Sequence, residues 1–253
     1  MFEFGFNEWD DKKSGDDGIC WSQQWPLMND DVLRENTEFA WRVVRHDCIP
    51  SAVTQIDVPV RAESGALVLD GEGTLLITKS SVFCDKRNPG MTKGNIEAEL
   101  KRLLGIKKVI CFPGRRNMDI TDVHMDAEAR VVHRHKIAHL KPHAIAIDLW
   151  QELAAEIREV LGRETDAKGR RLQIHRIEEP DPRGLVMSDH DELSASYVNI
   201  YLVNGCVVIS QFGDEERDQN ALEILQGVAF GRVIRQVNAS AIPLTGGVLH
   251  CVA

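Results

Sequence analysis

The C-terminal segment LTGGVLHCVA places a cysteine, Cys251, directly after a histidine and just downstream of a glycine pair. Gly246 and Gly247 permit positive φ and a close backbone approach, while Val248 and Leu249 can anchor the segment by packing. A cysteine acts as a nucleophile where a partly shielded, electropositive setting holds it as the thiolate. Because the local sequence does not establish such a setting, it supports a catalytic and a structural role for Cys251 equally.

A second candidate for chemistry is the segment MDITDVHMDAEARVV, in which one residue separates His124 from Asp126. In an extended segment this spacing places both side chains on the same side of the backbone. A histidine near a carboxylate can serve as a general acid or base beside a group that binds a cation. The spacing is a weak signal by itself, and an acidic loop with an exposed histidine is the more common source of such a pattern.

Two further groups of residues could do chemistry, although each has a simpler interpretation. Glu63 comes shortly before the first hairpin, where a solvated turn glutamate is the usual finding. The run HRHKIAHLKPH contains four of the nine histidines, and His135 and His139 stand at the i, i+4 spacing that would let a helix hold a metal. It contains no cysteine or carboxylate and is interrupted by two lysines, so a solvated basic surface strip is the better interpretation. The four histidines are His133, His135, His139 and His143.

The elements that must position these residues repeat along the chain. ALVLDGEGTLLITKSSVF predicts a hairpin, NIEAELKRLLG a helix and KKVICFPG a short buried strand. The same order recurs in SYVNIYLVNGCVVISQFGD, RDQNALEILQG and VIRQVNAS. Two β-β-α-β units, at about residues 66–113 and 196–239, therefore predict an array of small repeated units.

Two elements are predicted upstream of these units. VLRENTEFAWRVVRH has the apolar spacing of a helix, and SAVTQIDVPV reads as a strand that ends at Pro59. Between the two units, QELAAEIREVLG predicts a helix and RRLQIHRI a strand.

Length and composition limit the class of protein. The 253 residues are 43% hydrophobic and 27% charged, which suffices for one large globular domain or two small ones. A net charge of −9 argues against nucleic acid as a partner and is compatible with a cationic ligand. Six scattered cysteines without a C-x-x-C pair indicate reduced thiols. The acidic N-terminus and the lack of a long apolar run predict a cytoplasmic protein with no membrane span.

Taken in order, these segments resemble the agmatine deiminase family, also called Porphyromonas-type peptidylarginine deiminases, of the guanidino-group-modifying pentein superfamily. FNEW is similar to the family's F-N-x-W, and ESGALVLDGEGTLLIT to E-G-G-S-x-x-x-D-G-x-G-T. MDITDVHMDAEARVV is similar to D-x-T-x-G-H-x-D-x-x-A-R, and TGGVLHC to G-G-G-N-I-H-C. RNP with the helix and strand that follow it, TDAKGRRLQIHRI and SASYVNIYLVNGCVVISQFGD are similar to further family blocks. Because these blocks match in order over nearly the whole chain, the resemblance is more specific than any single motif.

The resemblance implies an α/β fold, a pentein-type propeller of pseudo-fivefold ββαβ blades, with residues 1–253 as a single domain. It implies hydrolysis of the guanidinium of a small cation, foremost agmatine to N-carbamoylputrescine and ammonia in putrescine biosynthesis, through a covalent cysteine thiouronium. It requires no metal or organic cofactor, and a homodimer is compatible with it. It assigns catalysis to Cys251, His124, Asp126 and Glu63, and substrate binding to Asp126, Glu63, Gly246 and Gly247.

The chain also departs from the family pattern. A W-x-R-D-x-G-P block, whose Asp would be a second guanidinium-binding carboxylate, is expected upstream of F-N-x-W and does not precede Phe6. This predicts a propeller that is incomplete at the N-terminus and weak turnover of agmatine. The family's glycine before the catalytic histidine is Val123, and the glutamate of its D-E-T is Ile120. Two alternatives stay open: a truncated, impaired pentein that binds a cationic ligand or partner, and a deiminase of protein or free arginine.

Overall fold

The computed structural model describes residues 2–5, 38–39, 42–43, 45–46, 56–85, 87–185, 195–245 and 247–251. The chain divides into two compact units, one of Met1–Glu63 and Val82–Leu104 and the other of Ser64–Ser81 and Gly105–Ala253. Three of the segments singled out above lie outside the described residues, wholly or for the most part: FNEW, the predicted helix VLRENTEFAWRVVRH, and Gly246.

Strands and helices alternate along the described residues. The strands are β1 (Phe2–Gly5), β2 (Ile56–Arg61), β3 (Val68–Leu69), β4 (Thr74–Thr78), β5 (Lys108–Phe112), β6 (Ala129–His133), β7 (Lys136–Lys141), β8 (Gln173–Glu178), β9 (Tyr201–Val203), β10 (Cys206–Gln211) and β11 (Val233–Asn238). The helices are α1 (Lys79–Val82), α2 (Lys93–Leu104), α3 (Met125–Glu128), α4 (Asp148–Arg163) and α5 (Glu215–Val228). None of these helices is long and apolar enough to cross a membrane.

The first unit contains a two-stranded parallel sheet, β1 with β2, and helix α2. Strand β2 continues through Pro59 to Arg61, so the prediction that it ends at the proline is wrong. The register of the pair shifts between Glu3 and Gly5, and such an irregularity accommodates a residue without an N–H to donate. Helix α2 packs against β2 and buries the apolar side chains that its 3.6-residue period places on one face, Ile96, Leu100 and Leu103.

The second unit contains three three-stranded sheets, β3-β4-β5, β6-β7-β8 and β9-β10-β11. In each sheet the first two strands form an antiparallel hairpin, and the third strand, which follows a helix in the chain, pairs parallel with the second. The two predicted β-β-α-β units are therefore confirmed. A third unit of the same order, made of β6, β7, α4 and β8, lies between them and was not recognised in the sequence.

The histidine run forms most of the β6–β7 hairpin, so the prediction of a solvated basic surface strip is wrong. In strand β7 the four residues from Ile137 to Leu140 are all buried, because both faces of the strand are covered. His139 is 1% exposed, and its Nδ1 and Nε2 lie 3.0 and 3.1 Å from the backbone oxygens of Glu128 and Ala154. Burial lowers the pKa of His139, although these two carbonyl contacts oppose the shift.

The core of the second unit contains a buried tyrosine–carboxylate pair. The hydroxyl of Tyr197 donates to Oδ1 of Asp218 at 2.6 Å, and the same carboxylate accepts from the N–H groups of Phe212 and Gly213. The ring of Tyr197 also packs edge-on against Phe212, with 4.9 Å between the centroids. A single carboxylate thereby joins the start of α5 to the end of β10 and to the segment that precedes β9.

We predict that Tyr197→Phe lowers the free energy of unfolding by about 1–3 kcal/mol, because a buried carboxylate loses one of its donors. Urea denaturation followed by circular dichroism measures the change. Tyr201→Phe is the matched control, because Tyr201 is 40% exposed and its hydroxyl loss should change stability by less than about 0.5 kcal/mol. Equal losses for the two variants would contradict the role assigned to the pair.

Candidate active site

His124 ends a loop that is fixed by buried hydrogen bonds. Oδ1 of Asp119 accepts from the N–H groups of Thr121 and Val123 at 2.7 and 2.9 Å. The hydroxyl oxygen of Thr121 in turn accepts from the N–H of His124 at 3.0 Å. Asp122 and Val123 have φ values of 59° and 69°, which glycine adopts without steric cost. This geometry explains why the family pattern has a glycine at the position of Val123.

The end of strand β4 supports the same loop from the other side. The hydroxyl of Thr78 donates to the backbone oxygen of Val123 at 2.6 Å, and that of Ser80 donates to the backbone oxygen of Asp122 at 2.5 Å. Val123 and Met125, on either side of His124, belong to one buried apolar cluster of the second unit. The backbone on both sides of the histidine is therefore held by packing and by hydrogen bonds.

Asp126 lies in the first turn of α3, so the segment from His124 to Asp126 is not extended as the spacing argument assumed. The two side chains nevertheless face the same neighbour, Gly65. A Cβ atom at Gly65 would lie 2.6 Å from Nδ1 of His124 and 3.0 Å from both carboxylate oxygens of Asp126. A residue without a side chain is required here because these two functional groups occupy the space.

The carboxylate of Asp126 is 1% exposed and joins three segments of the second unit. Its Oδ2 accepts from Nδ2 of Asn199 at 3.0 Å and from Nδ1 of His250 at 2.7 Å, and lies 3.6 Å from the sulfur of Cys251. Its Oδ1 is buried and accepts no hydrogen bond from any of the described residues. One oxygen of Asp126 thus joins the segments of the site, while the other has no donor in the described part of the chain.

The ionised form of Asp126 is favoured although the side chain is buried. Burial raises the pKa of this carboxyl group, but the hydrogen bond from His250 and the charges of His124, His250 and Arg130 outweigh it, so that the pKa falls below its ordinary value. Burial lowers the pKa of the nearby Arg130, whereas the interactions with Asp126 and Cys251 favour its charged form. The site therefore holds a stable buried anion.

Cys251 is docked against Asn199 and is not in a frayed tail. Its N–H donates to the backbone oxygen of Val248 at 3.1 Å, and its sulfur lies 3.4 Å from Nδ2 of Asn199. Oδ1 of Asn199 accepts from the N–H of His250 at 2.9 Å, which fixes the backbone just before the cysteine. A Cβ atom at Gly247 would lie only 2.6 Å from Cβ and 2.9 Å from Sγ of Cys251, so this glycine leaves room for the thiol.

The thiol of Cys251 is a weak acid in this setting. Cys251 as a residue reaches solvent, but its sulfur contacts the buried side chains of Asp126 and Asn199. Desolvation of the sulfur and the negative charge of Asp126 raise the pKa of Cys251 to about 11. Without a cation in the site, the thiol form therefore predominates at neutral pH.

His124, Asp126 and Cys251 all line one cavity of about 270 Å³ in the second unit. Much of the remaining wall is apolar, with Met118, Ile120, Leu140, Trp150 and Leu185 among its residues. Three further carboxylates also line it, those of Asp119, Glu128 and Glu179. A cavity with a thiol, an imidazole and several carboxylates at an apolar wall is suited to a small organic cation.

The remaining predicted site residues differ in what the structure describes of them. Glu63 belongs to the first unit, where its Oε1 lies 3.0 Å from Nε of Arg87, a wholly buried side chain. Its place beside Cys251 stays a prediction. Gly247 contacts Cys251 as described above, whereas Gly246 lies outside the described residues. The catalytic and substrate-binding roles of all these residues also stay predictions.

Four residues of the cavity and its surroundings were missed in the sequence. His250 stands directly before Cys251 in a matched block, and Asn199 lies in another, but neither has a spacing that signals a role. Glu128 and Glu179 were not singled out because they lie in different segments, at the end of α3 and just after β8. Only the folded chain shows that they share a cavity with Cys251.

A repeated ββαβ sheet unit, with a thiol, an imidazole and a buried carboxylate at one cavity, defines an α/β protein of the pentein class. Within that class, a sequence model of the Porphyromonas-type peptidyl-arginine deiminases matches residues 1–253. The chain belongs to that family.

Comparison with individual proteins agrees with this assignment. A provisionally named agmatine deiminase of Listeria monocytogenes is 33% identical over 212 residues, which cover 75% of this chain and 56% of the relative. The agmatine deiminase of Medicago truncatula is 30% identical over 214 residues, which cover 75% of this chain and 55% of the relative. The chain thus spans just over half the length of these curated relatives.

A solved structure gives the same result for the fold. The agmatine deiminase of Enterococcus faecalis is 25% identical and matches with a TM-score of 0.76, over 87% of this chain and 62% of that one. The predicted α/β fold of the pentein type is therefore confirmed, while closure into a five-bladed propeller stays a prediction.

We predict that Gly65→Ala destabilises the protein by about 1–3 kcal/mol. The added methyl group overlaps His124 and Asp126, and the carboxylate of Asp126 is held in place by Asn199 and His250. Thermal and urea unfolding measure the effect. Gly162→Ala in α4 is the control, since its Cβ meets no atom within 4 Å, and it should stabilise the helix by about 0.5–1 kcal/mol. Unchanged stability in Gly65→Ala would show that the neighbours of Gly65 move freely.

We predict that Asp126→Asn shifts the pH profile of Cys251 alkylation to lower pH. Asp126 is an anion that disfavours the thiolate, so its removal lowers the pKa of Cys251 from its value of about 11. The rate of modification of Cys251 by iodoacetamide, followed by peptide mass spectrometry between pH 7 and about 11, gives the profile. Asp148→Asn, an exposed aspartate at the start of α4, should leave it unchanged. An unshifted or upward-shifted profile in Asp126→Asn would contradict the electrostatic argument.

Proposed function

We propose that this chain is the catalytic part of a hydrolase that deiminates a small cationic guanidine. The substrate that fits best is agmatine, which would give N-carbamoylputrescine and ammonia. The observation that carries the proposal is that Cys251, His124 and Asp126 line one cavity and that two of them contact each other through Oδ2 of Asp126. Membership of a deiminase family and the names of the relatives support the same reaction class.

The proposed binding of the guanidinium rests on a difference between the two carboxylate oxygens of Asp126. Oδ2 is occupied by Asn199 and His250, whereas Oδ1 accepts nothing from the described residues. A guanidinium N–H can donate to Oδ1 in a charge-assisted hydrogen bond. This contact would hold the guanidinium carbon close to the sulfur, which is 3.6 Å from the same carboxylate.

The cation would also activate the nucleophile. The pKa of Cys251 is raised to about 11 by desolvation and by the charge of Asp126, and a bound guanidinium offsets both effects by placing a positive charge beside the sulfur. The thiol proton passes to His124 as the substrate binds, and the thiolate adds to the guanidinium carbon to form a C–S bond. Activation of this kind restricts the reactive thiolate to the substrate complex.

His124 is placed to move the remaining protons. In the first half-reaction it donates a proton to the leaving nitrogen, the C–N bond breaks, ammonia departs and a thiouronium remains on Cys251. In the second it takes a proton from water, the resulting hydroxide adds to the same carbon, and the C–S bond breaks. The thiolate is regenerated, and the ureido product leaves after the oxygen loses its remaining proton, which ends on the released ammonia as ammonium. One water is therefore consumed for each ammonia released.

We predict that Cys251→Ala abolishes ammonia release from agmatine while agmatine binding stays measurable, because Asp126 can hold the guanidinium without the sulfur. A coupled ammonia assay and isothermal titration calorimetry measure the two properties. Cys206→Ala is the control, since Cys206 is a half-buried residue of β10 and does not line the cavity. It should keep the activity of the parent chain.

Two outcomes would count against the proposal. Ammonia release that persists in Cys251→Ala would remove the thiol from the reaction. Agmatine binding by the parent chain without any ammonia release, at every pH tested, would favour the alternative of a pentein that binds a cation without turnover. Inclusion of arginine and a peptidyl-arginine in the assay separates the deiminase alternatives.

A further inference from the structure

Glu128 is a buried carboxyl group that the proposed reaction does not use. It is the last residue of α3, is 3% exposed, and lines the cavity that also contains Cys251. Its Oε2 is buried and accepts no hydrogen bond from any residue that the structure describes. A buried carboxyl oxygen without a donor is costly, so a group that supplies one from the cavity would be bound favourably.

Glu179 brings a second carboxyl group to the same cavity. It follows the last residue of β8, is half-buried, and its Oε2 accepts from the N–H of His143 at 3.0 Å. Burial raises the pKa of Glu128 to about 8, and the charges of Glu179, Asp119 and Asp126 add to the effect. Burial also raises the pKa of Glu179 to about 7, against the hydrogen bond from His143. A cation close to these two carboxyl groups would therefore stabilise their ionised forms.

None of the other described groups that line the cavity carries a permanent positive charge. Lysine and arginine are absent from the described residues that form its wall, and its histidines are His124 and His143. Across the described residues, no group of three or more histidine, cysteine, aspartate or glutamate side chains is arranged to hold a metal ion. Two carboxyl groups at an apolar wall suit an organic ammonium, which carries three N–H donors and one charge.

We propose that Glu128 and Glu179 form a second cation site in this cavity, which holds an ammonium group at the far end of the guanidine substrate. The site rests on the proposed function, since Asp126 and Cys251 hold the guanidinium end. The methylene chain between the two cationic ends lies along the apolar wall that includes Trp150 and Ile120. Guanidines that end in an amine are therefore selected over guanidines that end in a carboxylate, such as free arginine.

Selection follows from charge. The carboxylate of arginine would lose its hydration in this cavity, face the charge of Asp126 and oppose ionisation of Glu128 and Glu179. An ammonium does the reverse: it donates to Oε2 of Glu128 and stabilises the ionised form, so that a proton leaves Glu128 as the ligand enters. Glu128 and Glu179 thus distinguish agmatine, which ends in an amine alone, from arginine, which also carries a carboxylate at that end.

The test compares two ligands that differ only at that end. Agmatine and n-butylguanidine share the guanidinium and the four-carbon chain, and only agmatine has the terminal amine. Isothermal titration calorimetry with the full chain carrying Cys251→Ala measures binding without turnover. We expect agmatine to bind at least about tenfold more tightly than n-butylguanidine, and free arginine more weakly than both, because a charge-assisted hydrogen bond contributes about tenfold or more.

Substitutions then assign the difference to the two carboxyl groups. Glu128→Gln and Glu179→Gln, which conserve side-chain volume, should each weaken agmatine binding by about tenfold to a hundredfold and change n-butylguanidine binding by less than about threefold. Glu159→Gln, an exposed residue of α4, is the matched control and should change neither. Urea unfolding of each variant shows whether it is folded.

The outcomes separate the two proposals. Agmatine and n-butylguanidine binding equally, or weakening equally in Glu128→Gln and Glu179→Gln, would overturn the second cation site and leave the deiminase proposal intact. No binding of either guanidine by the parent chain would overturn both. A selective loss of agmatine affinity in either glutamine variant supports the site even where the other variant fails to fold.

Discussion

The candidate site depends on the burial of one carboxylate, that of Asp126. Removing a charge from water costs several kcal/mol unless partners replace the lost hydration. Here the partners are Asn199, just before β9, and His250 in the C-terminal segment, both bonded to the same oxygen. Satisfying that oxygen therefore requires the C-terminal segment to dock, and docking brings Cys251 to 3.6 Å from the carboxylate. The position of the thiol is a consequence of how the anion is accommodated.

The same anion sets the reactivity of the site. It disfavours ionisation of Cys251, since like charges would face each other, and it favours any cation that reaches Oδ1. Without a bound cation, Cys251 thereby stays in the thiol form, which is less reactive towards oxidants and alkylating agents than the thiolate. A cationic ligand would both donate to Oδ1 of Asp126 and favour ionisation of Cys251. In the proposed reaction, substrate affinity and thiol activation then have one electrostatic origin, and they cannot be separated by changing Asp126 alone.

Two of the three sheets were predictable because their hairpins carry glycine turns and their helices carry an apolar period. The third was not, because its hairpin turn uses Arg134 at a φ of 51° and strand β7 is buried on both faces, which removes the alternating pattern. His124, Asp126 and Cys251 were identified through the family resemblance. Asn199 and His250 were not, since their bonds to Asp126 join residues 73 and 124 apart, and sequence spacing carries no information on such contacts.

The loop before His124 is strained, and the contacts that hold it show how the fold fixes the position of this histidine. Two successive non-glycine residues, Asp122 and Val123, hold positive φ, and each such residue costs on the order of 1–3 kcal/mol. Hydrogen bonds from Thr78 at the end of β4 and from Ser80 just after it oppose relaxation of the loop, as does the bond to Asp119 within the loop. The β-branched side chain of Val123 also packs in the core, so relaxation of the loop would cost that packing as well. The backbone at His124 is therefore fixed by strand β4 and the core, independently of Asp126. The two residues proposed as the acid–base group and the cation-binding group thus reach one cavity through separate supports.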